Sequence, residues 1–236
     1  MSDPLRIAIV VEGPTDRIVI EAALKSILGD RPFVLTQLQP EGSLVFGARR
    51  CGWAGVYRWC KQSAARGAGT VSGDALLFQN YDVLLLHLDA KVAEECYANG
   101  SITPGISDLP LPCDQPCPPP AATVDALRFV LMSWCGEPAV PPRIVACIPS
   151  RSTEAWVMAA LFPHDRAVRD GIECLARPEV RLALQPKARR IKKRQRDYQA
   201  RADTFQSEWG RVIAAGRGLA EARRFHNDLV AVLAAV

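Results

Sequence analysis

The sequence predicts an α/β fold: a mostly parallel central sheet flanked by helices. Two observations carry this. Residues 7–11, 81–88 and 143–148 are short apolar runs rich in β-branched or aliphatic residues. Runs that are apolar throughout, rather than alternating, suit strands buried on both faces, as in parallel sheets. The first and third then pass through a short turn into sequence with helical spacing, and the second does so after a longer loop. Strands alternating with helices are the signature of this class.

The elements follow in order. Residues 7–11 form the first strand, and Glu12 stands at its carboxyl end. Gly13 permits a tight turn, and Pro14 suits the first position of a helix. That helix spans 14–28, with Ile18, Val19, Ala22, Ala23 and Ile27 as its apolar stripe and Gly29 as its stop. Residues 33–38 favour a strand. Glu41, Gly42, Ser43 and Gly47 make a loop, and a second helix covers 53–66. The glycine-rich stretch 67–73 reads as flexible. The strand at 81–88 ends in Asp89-Ala90-Lys91, with Glu94 and Glu95 beyond. Residues 98–120 are rich in Pro, Gly and Ser and read as an irregular surface loop or lid inserted in the α/β pattern. A helix follows over 124–134, with Thr123 as its N-cap. The strand at 143–148 runs into Pro149-Ser150-Arg151-Ser152-Thr153-Glu154, where Ser150 or Ser152 can cap a helix reaching 161. Residues 1–162 thus make one α/β domain. Residues 163–236 read as a helical, basic extension that ends in an amphipathic helix over 219–235.

Composition narrows the function. The 236 residues carry a formal net charge of +4, so where charge sits matters more than its sum. No 18-residue uncharged apolar run or signal-peptide pattern is present, which leads to the expectation of a cytoplasmic protein without membrane contact. Eight cysteines are scattered, and in the cytosol most are expected as reduced, packed thiols. Only Cys113 and Cys117 have ligand-like spacing. They lack a second pair and a nearby His, so two free thiols in a loop is the commoner reading than a zinc clip. There is no phosphate-binding Gly-x-x-x-x-Gly-Lys-Ser/Thr loop and no signature of a Ser-His-Asp or Cys-His nucleophile. The five tryptophans read as core or interface residues.

Three acids, Glu12, Asp89 and Glu154, stand at or just after the ends of strands. Alone, Glu12 reads equally as a helix-capping carboxylate, and Glu154 reads more readily as one. In open α/β sheets, however, ligands gather at the carboxyl ends of strands. His87 lies two residues before Asp89 and points to the same face. It reads as a metal ligand or, more commonly, as a packed histidine with one hydrogen bond. Between Lys187 and Arg201 there are eight basic residues against one acid, Asp197. Such a run suits a nucleic-acid backbone or a solvated helix face.

The order of strand, Glu12-Gly13-Pro14-Thr15-Asp16, helix, and later strand and Asp89 resembles the topoisomerase–primase (Toprim) fold. The likeness is closest to small bacterial Toprim-like proteins and to the Toprim half of overcoming-lysogenization-defect nucleases. Glu154-Ala155-Trp156 matches a later motif of the small proteins, and the resemblance covers residues 5–162. It implies a Mg²⁺ (or Mn²⁺) site at Glu12, Asp89, Glu154 and Asp16, with Glu12, Asp89 and Glu154 as the catalytic set. It implies hydrolysis of nucleic-acid phosphodiesters, with DNA the lead substrate. It also implies a role in anti-phage defence beside a partner ATPase or another defence protein, with a homo-oligomer an open option. Lys187, Arg189, Arg190, Lys192, Lys193, Arg194 and Arg196 would hold the nucleic-acid backbone. One departure stands out. Lys91 occupies the position of the second acid of the family's Asp-x-Asp pair, and an ammonium cannot ligate Mg²⁺. Three explanations compete: a natively weakened site, replacement by Asp16, Glu94 or Glu95, or an introduced inactivating change. The alternative function is an inactive module that binds nucleic acid or a partner. A third is a small-molecule phosphotransfer or hydrolase enzyme.

Overall fold

The computed structural model describes residues 3–40, 51–214 and 219–236. Their elements run β1 (Leu5–Val10), α1 (Pro14–Leu28), β2 (Phe33–Gln39), α2 (Trp53–Arg66), α3 (Ala75–Asn80), β3 (Val83–His87), α4 (Ala121–Cys135), β4 (Ile144–Cys147) and α5 (Thr153–Leu161). Short helices α6 (Arg166–Arg169), α7 (Pro178–Ala183) and α8 (Gln195–Gln199) follow, then α9 (Ala202–Val212) and α10 (Ala220–Leu233). The four strands make one parallel sheet in the order β2-β1-β3-β4. The expected α/β class with flanking helices is therefore what the chain adopts. The loop expected at Glu41, Gly42, Ser43 and Gly47 lies outside the described residues.

The fully apolar strands are buried on both faces because each face carries its own core. Ile7, Ile9, Val83, Leu85, Val145 and Cys147 point to a layer built from α1, α5 and the helices of the C-terminal third. Ala8, Val10, Leu84, Leu86, Ile144 and Ala146 point to α2, α3 and α4. Trp156, Trp209 and Phe225 pack together in the first core, and Trp53, Tyr57 and Trp134 in the second. Helix α10 also packs along β4, one of the two edge strands. The strand order reverses direction between β1 and β3, so the crevice at their carboxyl ends is where such a sheet takes its ligand.

Several local expectations are corrected. Residues 67–73 form a packed turn rather than a flexible one. Val71 is fully buried, and its N–H donates to the Cys135 carbonyl at 2.9 Å. A Cβ on Gly67 would lie 2.0 Å from the Thr70 carbonyl oxygen, so glycine is needed for that approach. Helix α4 starts earlier than expected, at Ala121, with Pro120 at its N-cap position. Thr123 instead serves the Pro-rich segment: its hydroxyl accepts from the Gln115 N–H and donates to Asp114. Residues 187–194 are not helical. Like charges recur there at i,i+4 (Arg189 and Lys193, Arg190 and Arg194), which disfavours a helix. Cys117 is not a free thiol: it forms a disulfide with Cys174, 57 residues away, while Cys113 stays free and exposed. Sequence spacing gives no hint of this pair, because the meeting depends on how the turn after α6 returns to the Pro-rich segment. Disulfides are rare in reducing compartments, so the cysteines lend no support to a cytoplasmic setting. Among the described residues, no helix is long and apolar enough to cross a membrane.

Candidate metal centre

The carboxyl edge of the sheet collects the acids. Strand β1 delivers Glu12, and the first turn of α1 delivers Asp16. Strand β3 delivers His87 and then Asp89, and the first turn of α5 delivers Glu154. All are buried: Asp16 is 2%, Asp89 1%, Glu154 0% and Glu12 9% exposed. Gly13 matters at this point. A Cβ there would press on Asp16 Oδ2 at 3.2 Å, so its absence lets the Asp16 carboxylate fold back under the turn.

These side chains meet. Ligand-capable atoms of Asp16, Asp89 and Glu154 lie within 4.8 Å of one another, as do those of Glu12, His87 and Asp89. Glu12 Oε1 accepts the backbone N–H of Asp89 at 2.7 Å, which locks the β1 and β3 ends together. Asp16 Oδ1 accepts from Thr153 Oγ1 at 2.7 Å, and Glu154 Oε1 accepts from the Tyr198 hydroxyl at 2.9 Å. Asp89 Oδ1 and Glu154 Oε2 are buried with no hydrogen-bond partner. Such oxygens cost free energy unless something satisfies them. This set of buried acids can hold a metal ion.

Burial and crowding shift the titrations. Burial, with the charge of Asp89 beside it, pushes the Glu12 carboxyl up to about 8. Burial and Asp89 likewise push Asp16 up to about 6. Asp89 goes the other way. Burial alone would raise it, but His87, Lys91 and Lys193 together hold it below the ordinary carboxylate range. His87 is raised to about 9, because attraction to Asp89, Asp16 and Glu12 outweighs the cost of its burial.

The departure at Lys91 takes a definite form. Its Nζ lies 3.1 Å from Asp89 Oδ2. Of the three acids that could replace the missing one, Asp16 is in the cluster. Glu94 pairs instead with Arg151 at 3.0 Å, and Glu95 is exposed and accepts from Asn99. His87 is fully buried as a packed histidine would be, but neither ring nitrogen makes a hydrogen bond. Its Nε2 sits 3.3 Å from Asp89 Oδ1 without the alignment of one.

The basic run reaches the site. Ile191 and Tyr198 are buried and anchor the segment, while Lys187, Arg189, Arg190, Lys192, Lys193, Arg194 and Arg196 are exposed. Lys193 stretches back so that its Nζ lies 3.2 Å from Glu154 Oε1. Arg189 instead packs over the Phe162 ring and donates to the Leu161 carbonyl. Sequence reasoning missed Tyr198 and Thr153 as partners of the acids, and missed that Lys193 belongs to the site. No spacing signals those contacts. Arg151 was also missed. It is 8% exposed and joins the Glu154 loop to the Pro-rich segment through Asp114 at 2.8 Å. Compared with family models, curated proteins and solved structures, the chain has no match.

Proposed function

We propose that this chain is a Toprim-like, Mg²⁺-dependent nuclease that hydrolyses nucleic-acid phosphodiesters, with DNA the lead substrate. The observation that carries the reading is the buried trio Asp16, Asp89 and Glu154 at the sheet's switch point, with one oxygen on each of Asp89 and Glu154 unsatisfied. Hard oxygen ligands in that number suit Mg²⁺ or Mn²⁺, which bind through a few carboxylates plus waters and substrate phosphate. Those three side chains would hold the ion. Bound there, it would supply Lewis acidity to the phosphodiester and a more acidic water.

The chain's own groups do the rest. Glu12 Oε1 is fixed by the Asp89 N–H, so Oε2 is left to carry a proton. With its carboxyl raised to about 8, Glu12 suits general acid or base work near neutral pH. Thr153 and Tyr198 hold Asp16 and Glu154 in place. The exposed cations between Lys187 and Arg196 would bind the phosphate backbone by charge, without reading sequence. The resemblance adds the suggestion of a defence role beside a gating ATPase.

The test is nicking of supercoiled plasmid by the full chain over a series of divalent metals. Metal-dependent nicking that disappears in Glu12→Ala supports the reading, and no nicking with any metal removes it. A second reading has its own observation. The Lys91–Asp89 pair neutralises a would-be ligand, which favours a catalytically silent module that binds nucleic acid or a partner. That reading predicts nucleic-acid binding without cleavage.

A further inference from the structure

We propose that Lys91 and Lys193 hold the place of a second cation in this site, so that it takes one divalent ion rather than two. The inference rests on the reading that the acid cluster takes a divalent ion. Its basis is how the carboxylate oxygens divide. Lys91 claims Oδ2 of Asp89, and Lys193 claims Oε1 of Glu154 with Tyr198. The other oxygen of each, Oδ1 and Oε2, is buried without a hydrogen bond, with His87 Nε2 3.3 Å from Oδ1. Each acid therefore offers one face to an ammonium and one to something else. Asp16 lies with Asp89 and Glu154, its Oδ1 held by Thr153. That leaves Asp16, Asp89 and Glu154 for one ion; the neighbouring group of Glu12, His87 and Asp89 draws on the same Asp89, and its Glu12 Oε1 is already held by the Asp89 N–H.

The lysines are placed to do this from outside. Their side chains are 44% and 47% exposed, so each ammonium reaches inward from the rim while its stem stays near solvent. An ammonium has three donors, and one suffices for the carboxylate. The remaining donors would be available to a substrate phosphate. The two lysines come from separate parts of the chain, one after β3 and one in the loop before α8. Their convergence on neighbouring acids is a tertiary feature. Two ammoniums and a second divalent ion would crowd like charges into one small, poorly solvated space.

Calorimetric titration of the full chain with Mn²⁺ tests the idea. One ion per chain is expected, and two in Lys91→Asp, which restores an acid where an ammonium stood. Two ions in the unaltered chain would overturn the proposal, as would a single ion in a folded Lys91→Asp variant. Lys91→Met and Lys193→Met give an independent check. Removing a competing cation should tighten Mn²⁺ binding, by about tenfold each. Weaker binding would show the lysines to be supports for the acids rather than cation substitutes. No ion at all would sink both this inference and the nuclease reading. One ion with no plasmid nicking would sink only the nuclease reading.

Discussion

The two ends of the same four strands treat charge in opposite ways. At the amino end, Asp82 precedes β3 and meets Arg6 of β1. Its Oδ1 accepts from Arg6 Nη2 at 2.7 Å, and its Oδ2 accepts from the Arg6 backbone N–H at 2.8 Å. Arg143, just before β4, donates to the carbonyls of Phe78, Tyr81 and Asp82. The Arg6 bonds hold the Asp82 carboxyl below its ordinary value. At the carboxyl end, Glu12 and Asp16 are raised instead, Asp89 is held low by His87, Lys91 and Lys193, and Asp89 and Glu154 each keep a buried oxygen without a hydrogen bond. Asp82 serves the fold and is paired and partly exposed. Asp89 and Glu154 are buried and incomplete, and each unsatisfied oxygen costs about 1–3 kcal/mol until filled. The difference separates candidate chemistry from scaffolding.

The comparison is broken most severely by exchanging acids for neutral groups at the two ends. Glu12→Gln should lower plasmid nicking by about 10³-fold, the range for loss of a general acid or base. Asp82→Asn should leave nicking within a factor of two of the unaltered chain. Equal losses in both variants, measured at matched folded fraction, would show that the carboxyl end has no privileged chemistry.

The pH response of stability comes next in size. For Glu12 the folded value near 8 exceeds the unfolded value, so the folded state binds the extra proton between about 4.5 and 8. Asp16, raised to about 6, acts in the same direction over its lower window. His87 is also raised, so its contribution is present below its ordinary value of 6.5 and is lost as pH climbs through about 9. All three make the metal-free chain less stable as pH rises. A fall in Tm on the order of 10 °C between pH 5 and pH 9 is expected. Added Mn²⁺ should recover most of it, because an ion binds the deprotonated acids of the folded state only. A metal-free Tm that rises over this range would contradict the crowding assigned to the carboxyl end.

Much of this contrast was legible before any fold was known. The strands and the first two helices follow from local apolar spacing, and helix α2 occupies the very span expected of it. Glu12, Asp89 and Glu154 were visible because parallel strands bring their carboxyl ends to one edge, whereas Asp16 entered only through the family resemblance. What stayed hidden depends on segments far apart in sequence. Lys193 meets Glu154 only because Ile191 and Tyr198 pin an irregular loop beside α1 and α5. The bridge from Cys117 to Cys174 needs the same kind of convergence. It closes a long loop, so Cys117→Ser should destabilise the chain by about 4 kcal/mol on the chain-entropy account, read by urea denaturation.

A smaller effect should come from the basic run. Lys192, Arg194 and Arg196 are exposed and do not touch the acids, whereas Lys193 does. Reversing those three to Glu should weaken DNA binding and flatten the slope of log affinity against log salt by roughly 2–3, since each phosphate contact contributes about 0.9. Nicking at saturating DNA should persist. If the salt slope is unchanged, the run is a solvated surface and the substrate enters elsewhere.

The smallest effect should come from Arg6. Its ion pair with Asp82 joins a half-exposed guanidinium to a partly exposed carboxylate, and water screens such pairs. The backbone also holds this corner: the Arg6 N–H still binds Asp82 Oδ2, and the Asp82 N–H still donates to the Arg6 carbonyl. Arg6→Met should therefore leave Mn²⁺ affinity and nicking unchanged and move the urea midpoint only slightly. Lys91→Met removes an ion pair of similar length, 3.1 Å against 2.7 Å. There the partner is buried beside other acids, and Mn²⁺ affinity should change about tenfold. Two surface lysine- or arginine-to-methionine changes of like chemistry would then differ only through which end of the sheet they face. Matching Mn²⁺ isotherms for the two variants would erase the distinction between the ends.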